Sequence, residues 1–201
     1  MSKVKICGLS RIEDIDTVNG ALPDFIGFVF AKSHRQVSEN KAKTLKQKLD
    51  THIQAVGVFV NQEPECIERL YQKEIIDLVQ LHGDEDNQYI QNLKENSGCQ
   101  VIKAIRIGST LPDLPEDADY FLFDTLSDLR GGTGKSFDWN ILKDYSGAPY
   151  FLAGGLNIDN VCSAIRLLSP FCVDVSSGVE KDGIKDSVKI YNFVNLVRGE
   201  V

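Results

Sequence analysis

Short apolar runs alternate with amphipathic stretches along the whole chain. Eight runs have strand length: Val4–Leu9, Phe25–Phe30, Ile53–Val60, Leu78–Gly83, Val101–Ile107, Tyr120–Asp124, Tyr150–Gly155 and Cys172–Gly178. They are rich in Val, Ile and Phe and mostly lack strict polar alternation, the pattern of parallel strands buried on both faces. Between them lie stretches with helical spacing: Arg11–Asn19, Ser38–Leu49, Pro64–Glu74, Asp86–Asn96, Trp139–Tyr145, Ile158–Leu168 and Ser187–Val197. In the first, Ile12, Ile15 and Val18 share one side; the second opens on Ser38, a good N-cap, and the third on Pro64, suited to a first helical turn. The segment after the fifth strand, Ser109–Asp119, holds two prolines and reads as loop.

Eight strand signals alternating with helices are compatible with a closed parallel barrel or a doubly wound open sheet. The count favours an α/β chain folded as one (β/α)8, or TIM, barrel. At 201 residues each unit has roughly 25, compact against the usual total of about 250. No GxGxxG follows the first strand, which disfavours a dinucleotide-binding sheet. No repeat, linker or low-complexity tract interrupts the chain, so residues 1–201 are expected to form a single domain.

Composition narrows the partners. The net charge of −7 argues against nucleic acid or an acidic membrane surface as a partner, since both need a basic face. It leaves room for a small anion held by local N–H groups and an arginine. No apolar run reaches membrane-spanning length and the N-terminus lacks a signal-peptide core. Cys7, Cys66, Cys99, Cys162 and Cys172 are odd in number, widely spaced and without a CxxC pair, so disulfides and zinc are not expected and a reducing cytoplasm is. His34, His52 and His82 lack metal-ligand spacing.

Two late glycine motifs carry the clearest functional signal. Phe151–Asn157 (FLAGGLN) and Cys172–Glu180 (CVDVSSGVE) each break from an apolar run into glycine and small polar residues. Glycines at a strand end let backbone N–H groups approach an anion. Paired loops after strands 7 and 8 are a recurrent phosphate site in (β/α)8 barrels, so these two motifs are expected to hold one phosphate between them.

Catalytic side chains in such a barrel come from the C-terminal ends of strands. That rule selects Cys7, Arg35, His82, Arg106, Asp124 and Asp174. Cys7 and Asp124 would make a base and acid pair if cations drew the thiol toward neutrality and desolvation kept the carboxyl protonated. The same positions would also suit a small core thiol and a turn-starting aspartate. After Asp124, Gly131, Gly132, Gly134 and Lys135 fit either a loop over the substrate or an ordinary connection capped by Ser136 or Asp138. GGTGKS is not a phosphate-binding P-loop, because Leu129 stands where the first glycine would be required.

Taken together and in order, KICGL at Lys5, GFVF at Gly27, SHR before Gln36, LHG at Leu81, FDT at Phe123, GGTGKSFDW at Gly131, AGGLN at Ala153 and DVSSGVE at Asp174 resemble the phosphoribosylanthranilate isomerases of tryptophan biosynthesis. The resemblance implies a (β/α)8 barrel and an Amadori rearrangement of N-(5-phosphoribosyl)anthranilate without any cofactor. It implies Cys7 as the base at C2, Asp124 as the acid at the ring oxygen, and Arg35 as partner of the anthranilate carboxylate. Asp174 would lie near the substrate, with Gly154, Gly155, Ser177 and Gly178 on the phosphate turns. His34 departs from the Pro or basic residue usual before Arg35. The expected partner is a small phosphorylated substrate, and monomer and homodimer are both compatible. The competing readings are another phosphosugar barrel enzyme, for which only His82 is suitably placed, and a barrel that binds a phosphate ligand without turning it over.

Overall fold

The computed structural model describes residues 1–126 and 137–199. Eight parallel strands pair in chain order and close into a barrel: β1 (Lys3–Cys7), β2 (Phe25–Val29), β3 (Gln54–Phe59), β4 (Leu78–Leu81), β5 (Val101–Ile107), β6 (Tyr120–Thr125), β7 (Tyr150–Leu152) and β8 (Cys172–Val175). Closure comes from β1 pairing with β8, which sets Lys5 opposite Asp174. The other ladders set Cys7 opposite Gly27 and Arg106 opposite Asp124.

Among the described residues six α-helices surround the strands: α1 (Ile12–Ala21), α2 (Glu39–Lys46), α3 (Pro64–Gln72), α4 (Asn87–Ser97), α5 (Val161–Leu168) and α6 (Ser187–Gly199). Their starts follow local chemistry. Ser38 Oγ accepts the Lys41 N–H, Asp86 Oδ1 accepts the Tyr89 N–H at 2.8 Å, and Pro64 occupies the first turn of α3.

Four expectations need correction. Trp139–Tyr145 is not an α-helix but a four-residue 3₁₀ turn, Trp139–Leu142, capped by Asp138. Its backbone bonds reach back three residues rather than four, from the Ile141 N–H to the Asp138 carbonyl and from the Lys143 N–H to the Asn140 carbonyl. The helix expected from Ile158 begins only at Val161, because Asn160 turns its side chain back to accept the Asn157 N–H. The seventh and eighth strands end before their glycines, which belong to loops; Gly154 and Gly155 have φ of +80° and +71°, outside strand geometry. The chain beyond β8 forms a 3₁₀ turn, Ser177–Val179, and a short hairpin of Glu180–Lys181 with Ile184–Lys185 before α6.

Alternation along each strand divides the core into two. One set of residues packs between strands and helices, among them Ile6, Phe28, Val79, Ile90 and Phe193. The other fills the barrel: Phe25, Val56, Leu78, Ile102, Leu122, Phe151 and Cys172 form an apolar plug. Two residues beyond the plug in the same inward phase stand Gln80 on β4 and Asp174 on β8, with Lys5 opposite Asp174 on β1 and Cys7 two residues further on. A polar floor thus lies on the apolar plug, facing the C-terminal ends of the strands.

Candidate active site

A cavity of about 540 Å³ opens at those ends, a size suited to a small ligand. Cys7, Arg35, His82, Asp124, Gly154, Gly155, Asp174 and Ser177 all line it, with Gln80 and Ser176 between them and Val29, Phe30 and Val58 as apolar wall. Residues separated by most of the chain therefore share one space. Of the loop expected over the substrate, Gly131, Gly132, Gly134, Lys135 and Ser136 lie outside the described residues.

Cys7 ends β1 and is 8% exposed. Its room is made by Gly27 across the ladder, where a Cβ would stand 2.6 Å from the Cys7 sulfur. Burial pushes the thiol above its ordinary value, and the Asp174 carboxylate adds to the shift. The ammonium groups of Lys5 and Lys185 pull the other way. The cations that could draw the thiol toward neutrality are thus present, with desolvation working against them.

Beneath Cys7, Lys5 is completely buried. Its Nζ donates to Gln80 Oε1 at 2.9 Å and to Asp174 Oδ2 at 3.1 Å. Burial works against the Lys5 charge, but Asp174 and Cys7 together hold the ammonium above its usual range. Burial likewise raises the Asp174 carboxyl against the pull of Lys5. Asp174 Oδ1 is buried without a hydrogen-bond partner.

Asp124 lies on the opposite wall, at the end of β6. Its Oδ1 accepts the Thr125 N–H at 2.8 Å, and its Oδ2 stands 3.5 Å from His82 Nε2. His82 Nδ1 is 2.9 Å from Gln80 Nε2. Gly154 packs so tightly on the end of β6 that a Cβ there would meet the Thr125 backbone nitrogen at 2.8 Å.

Arg35 sits beyond β2 with its guanidinium in a two-pronged pair with Glu180: Nε and Nη2 each donate at 2.7 Å. The Glu180 hydrogen bond raises the Arg35 pKa further, against the cost of burial. Lys185 Nζ donates to the same carboxylate at 2.6 Å, and these two cations bring Glu180 down despite its burial. Two of the five Arg35 donors are therefore spent on holding the group in position at the cavity edge.

The loops after β7 and β8 meet at the cavity. Asn160 Nδ2 donates to the Gly155 carbonyl at 3.0 Å, fixing the first loop. Gly178 corrects the expectation that its missing side chain leaves room for phosphate. It does not line the cavity; a Cβ there would fall on the Leu156 carbonyl oxygen. Its bareness lets the two loops touch.

Sequence reading missed Lys5, Gln80, Glu180 and Lys185. The first two had a signal: both lie in the inward phase of a buried strand, where a polar residue is unusual. Among the described residues, no group of three His, Cys, Asp or Glu side chains is placed to hold a metal ion, and no helix is long and apolar enough to cross a membrane.

Residues 4–196 match the family model for N-(5'-phosphoribosyl)anthranilate isomerase. The isomerase of that name from Endomicrobium trichonymphae is 49% identical over 199 residues, covering 98% of this chain and 99% of its own. Crystallised monomers of the dimeric isomerase from Thermotoga maritima superpose with a TM-score of 0.83 at 34% identity, covering 99% of this chain and all of theirs. A solved isomerase bound to reduced 1-(o-carboxyphenylamino)-1-deoxyribulose 5-phosphate gives a TM-score of 0.84 at 34% identity, with the same coverage.

Proposed function

This chain belongs to the phosphoribosylanthranilate isomerase family and catalyses the Amadori rearrangement of N-(5'-phosphoribosyl)anthranilate in tryptophan biosynthesis, and from that premise we propose that Cys7 and Asp124 perform its two proton transfers. Asp124 gives a proton to the furanose ring oxygen. The bond from C1 to that oxygen breaks, and the nitrogen lone pair closes a protonated C1=N bond. The Cys7 thiolate then takes the C2 proton, and the C–H electron pair forms C1=C2 while the nitrogen becomes neutral. The resulting enaminol gains a proton at C1 and loses its hydroxyl proton, which yields the aminoketose. Cys7 then gives its proton up to solvent and Asp124 takes one back, which restores both groups, so the reaction is a net isomerisation.

The observation that carries this reading is the single cavity lined by both groups, from β1 and β6, together with the loops after β7 and β8. Gly154, Gly155 and Ser177 offer that rim to the phosphate, and Gly178 keeps the rim closed. Phosphate binding there is remote from the reacting carbons and supplies orientation. Arg35, held by Glu180, presents a guanidinium edge for the anthranilate carboxylate. Asp174 Oδ1, buried without a partner, is suited to accept a sugar hydroxyl. Every residue this reading uses comes from one chain and one barrel, so both monomer and homodimer would be competent.

Asp124→Asn tests the reading. Asn keeps the shape but has no acidic proton. The loss of substrate fluorescence should slow by at least about 100-fold, while calorimetric affinity for a product analogue stays within about threefold. Turnover at the parent rate removes Asp124 from the chemistry.

A further inference from the structure

A chain of contacts runs across the cavity floor from one wall to the other. Lys5 Nζ donates to Gln80 Oε1 at 2.9 Å, Gln80 Nε2 lies 2.9 Å from His82 Nδ1, and His82 Nε2 lies 3.5 Å from Asp124 Oδ2. An ammonium group has donors and no acceptor, so the amide must turn its oxygen to Lys5. Its NH₂ then faces His82 Nδ1, which can only accept. A neutral His82 must in consequence carry its proton on Nε2, toward Asp124. Protonating Nδ1 would set N–H against N–H, and flipping the amide would set NH₂ against the buried ammonium.

We propose that Lys5 and Gln80 fix His82 as its Nε2–H tautomer, making His82 a positioning residue that receives the Asp124 carboxylate as it releases its proton. The inference rests on the reading of Asp124 as the acid. The other carboxylate oxygen already accepts the Thr125 N–H, so Oδ2 is the oxygen left to carry the transferable proton. At 3.5 Å the His82 contact is long for a hydrogen bond in the resting site. It gains strength only when negative charge appears on Oδ2, and an interaction that strengthens along the reaction accelerates it. Gln80 cannot shuttle protons as an ordinary amide, so the chain is a positioning device rather than a proton wire. Arg106 fixes the histidine backbone by donating to the His82 carbonyl at 3.2 Å.

The test begins with nitrogen-15 NMR of the ring nitrogens in histidine-labelled protein, at about pH 8 where an ordinary imidazole is neutral. With three histidines in the chain, the His82 signals are assigned by their loss in His82→Gln. The unsubstituted protein should show His82 protonated on Nε2 alone, and Gln80→Leu should mix the two tautomers. A proton on Nδ1, protons on both nitrogens, or an unchanged tautomer in Gln80→Leu would overturn the proposal. The kinetic arm compares two variants. His82→Leu should lower kcat by about tenfold or more with KM within about threefold, as for one lost donor to a developing charge. His82→Gln, whose amide nitrogen reaches toward the Nε2 position, should recover most of that loss. Equal rates in the two variants would also overturn it. Failure of the Asp124→Asn test with the NMR result intact would instead point to the acid assignment, because the tautomer is read without turnover.

Discussion

Lys5→Met removes the ammonium that ties the floor of the site together. Met nearly matches the length of the Lys5 stem and keeps the apolar contacts, so the loss falls on the charge. Asp174 Oδ2 then loses its 3.1 Å partner while Oδ1 already has none, leaving a buried carboxylate alone. Removing one member of a buried pair costs about 3–5 kcal/mol. For a chain of this size that is a fall in Tm of roughly 6–20 °C, at about 2–4 °C per kcal/mol. The pH dependence has a definite sign. Burial already raises the Asp174 carboxyl, and losing Lys5 raises it further. A carboxyl with a folded pKa above its unfolded value destabilises at high pH, so the deficit should be full at neutral pH and shrink as pH falls toward about 3.9. Replacing the pair outright, with Asp174→Leu added to Lys5→Met, should recover at least half of the lost stability, because no buried charge remains. Calorimetry at neutral and acidic pH reads all three proteins. A loss below about 1 kcal/mol in Lys5→Met, or a double variant as unstable as the single one, would refute the reasoning.

Gly178→Ala should harm as much as Gly178→Val, since the first Cβ atom already falls on the Leu156 carbonyl. Both should weaken a phosphate-bearing product analogue by at least about tenfold, or 1.4 kcal/mol, in calorimetry; a benign Ala with a harmful Val would place the crowding elsewhere. Alkylation of the Cys7 thiol, followed by mass spectrometry, should keep accelerating with pH beyond the ordinary thiol midpoint of 9.0, because burial raises it. A plateau near neutral pH would mean that the Lys5 and Lys185 charges win after all.

The barrel was legible because strands covered on both faces leave short apolar runs rich in Val, Ile and Phe, as in Val101–Ile107, where β5 spans the same residues. Helix starts were legible where one side chain does the capping, at Ser38 and Asp86. Trp139–Tyr145 misled because its spacing is helical while its backbone closes only a 3₁₀ turn. At the site, the strand-end rule picked out Cys7, Asp124 and Asp174, which line one cavity, and the family resemblance supplied their expected roles. Partners were not legible. Lys5 meets Gln80 and Asp174 across 75 and 169 residues of sequence, a pairing created only when the barrel closes. Glu180 reaches Arg35 across 145 residues for the same reason. At Gly178 the sequence shows only a bare loop position; that a Cβ there would meet the Leu156 carbonyl depends on how the loops after β7 and β8 pack.

The central claim is that the buried Cys7, as its thiolate, takes the C2 proton, and Cys7→Ser tests it most directly. The hydroxyl nearly matches the thiol in volume, fits beside Gly27 and is far less acidic. Following substrate fluorescence, turnover should fall by at least about 100-fold, within the 10² to 10⁴ usual for a lost general base, with the unfolding midpoint little changed. Turnover within about threefold of the parent protein would contradict the account and return Cys7 to the core.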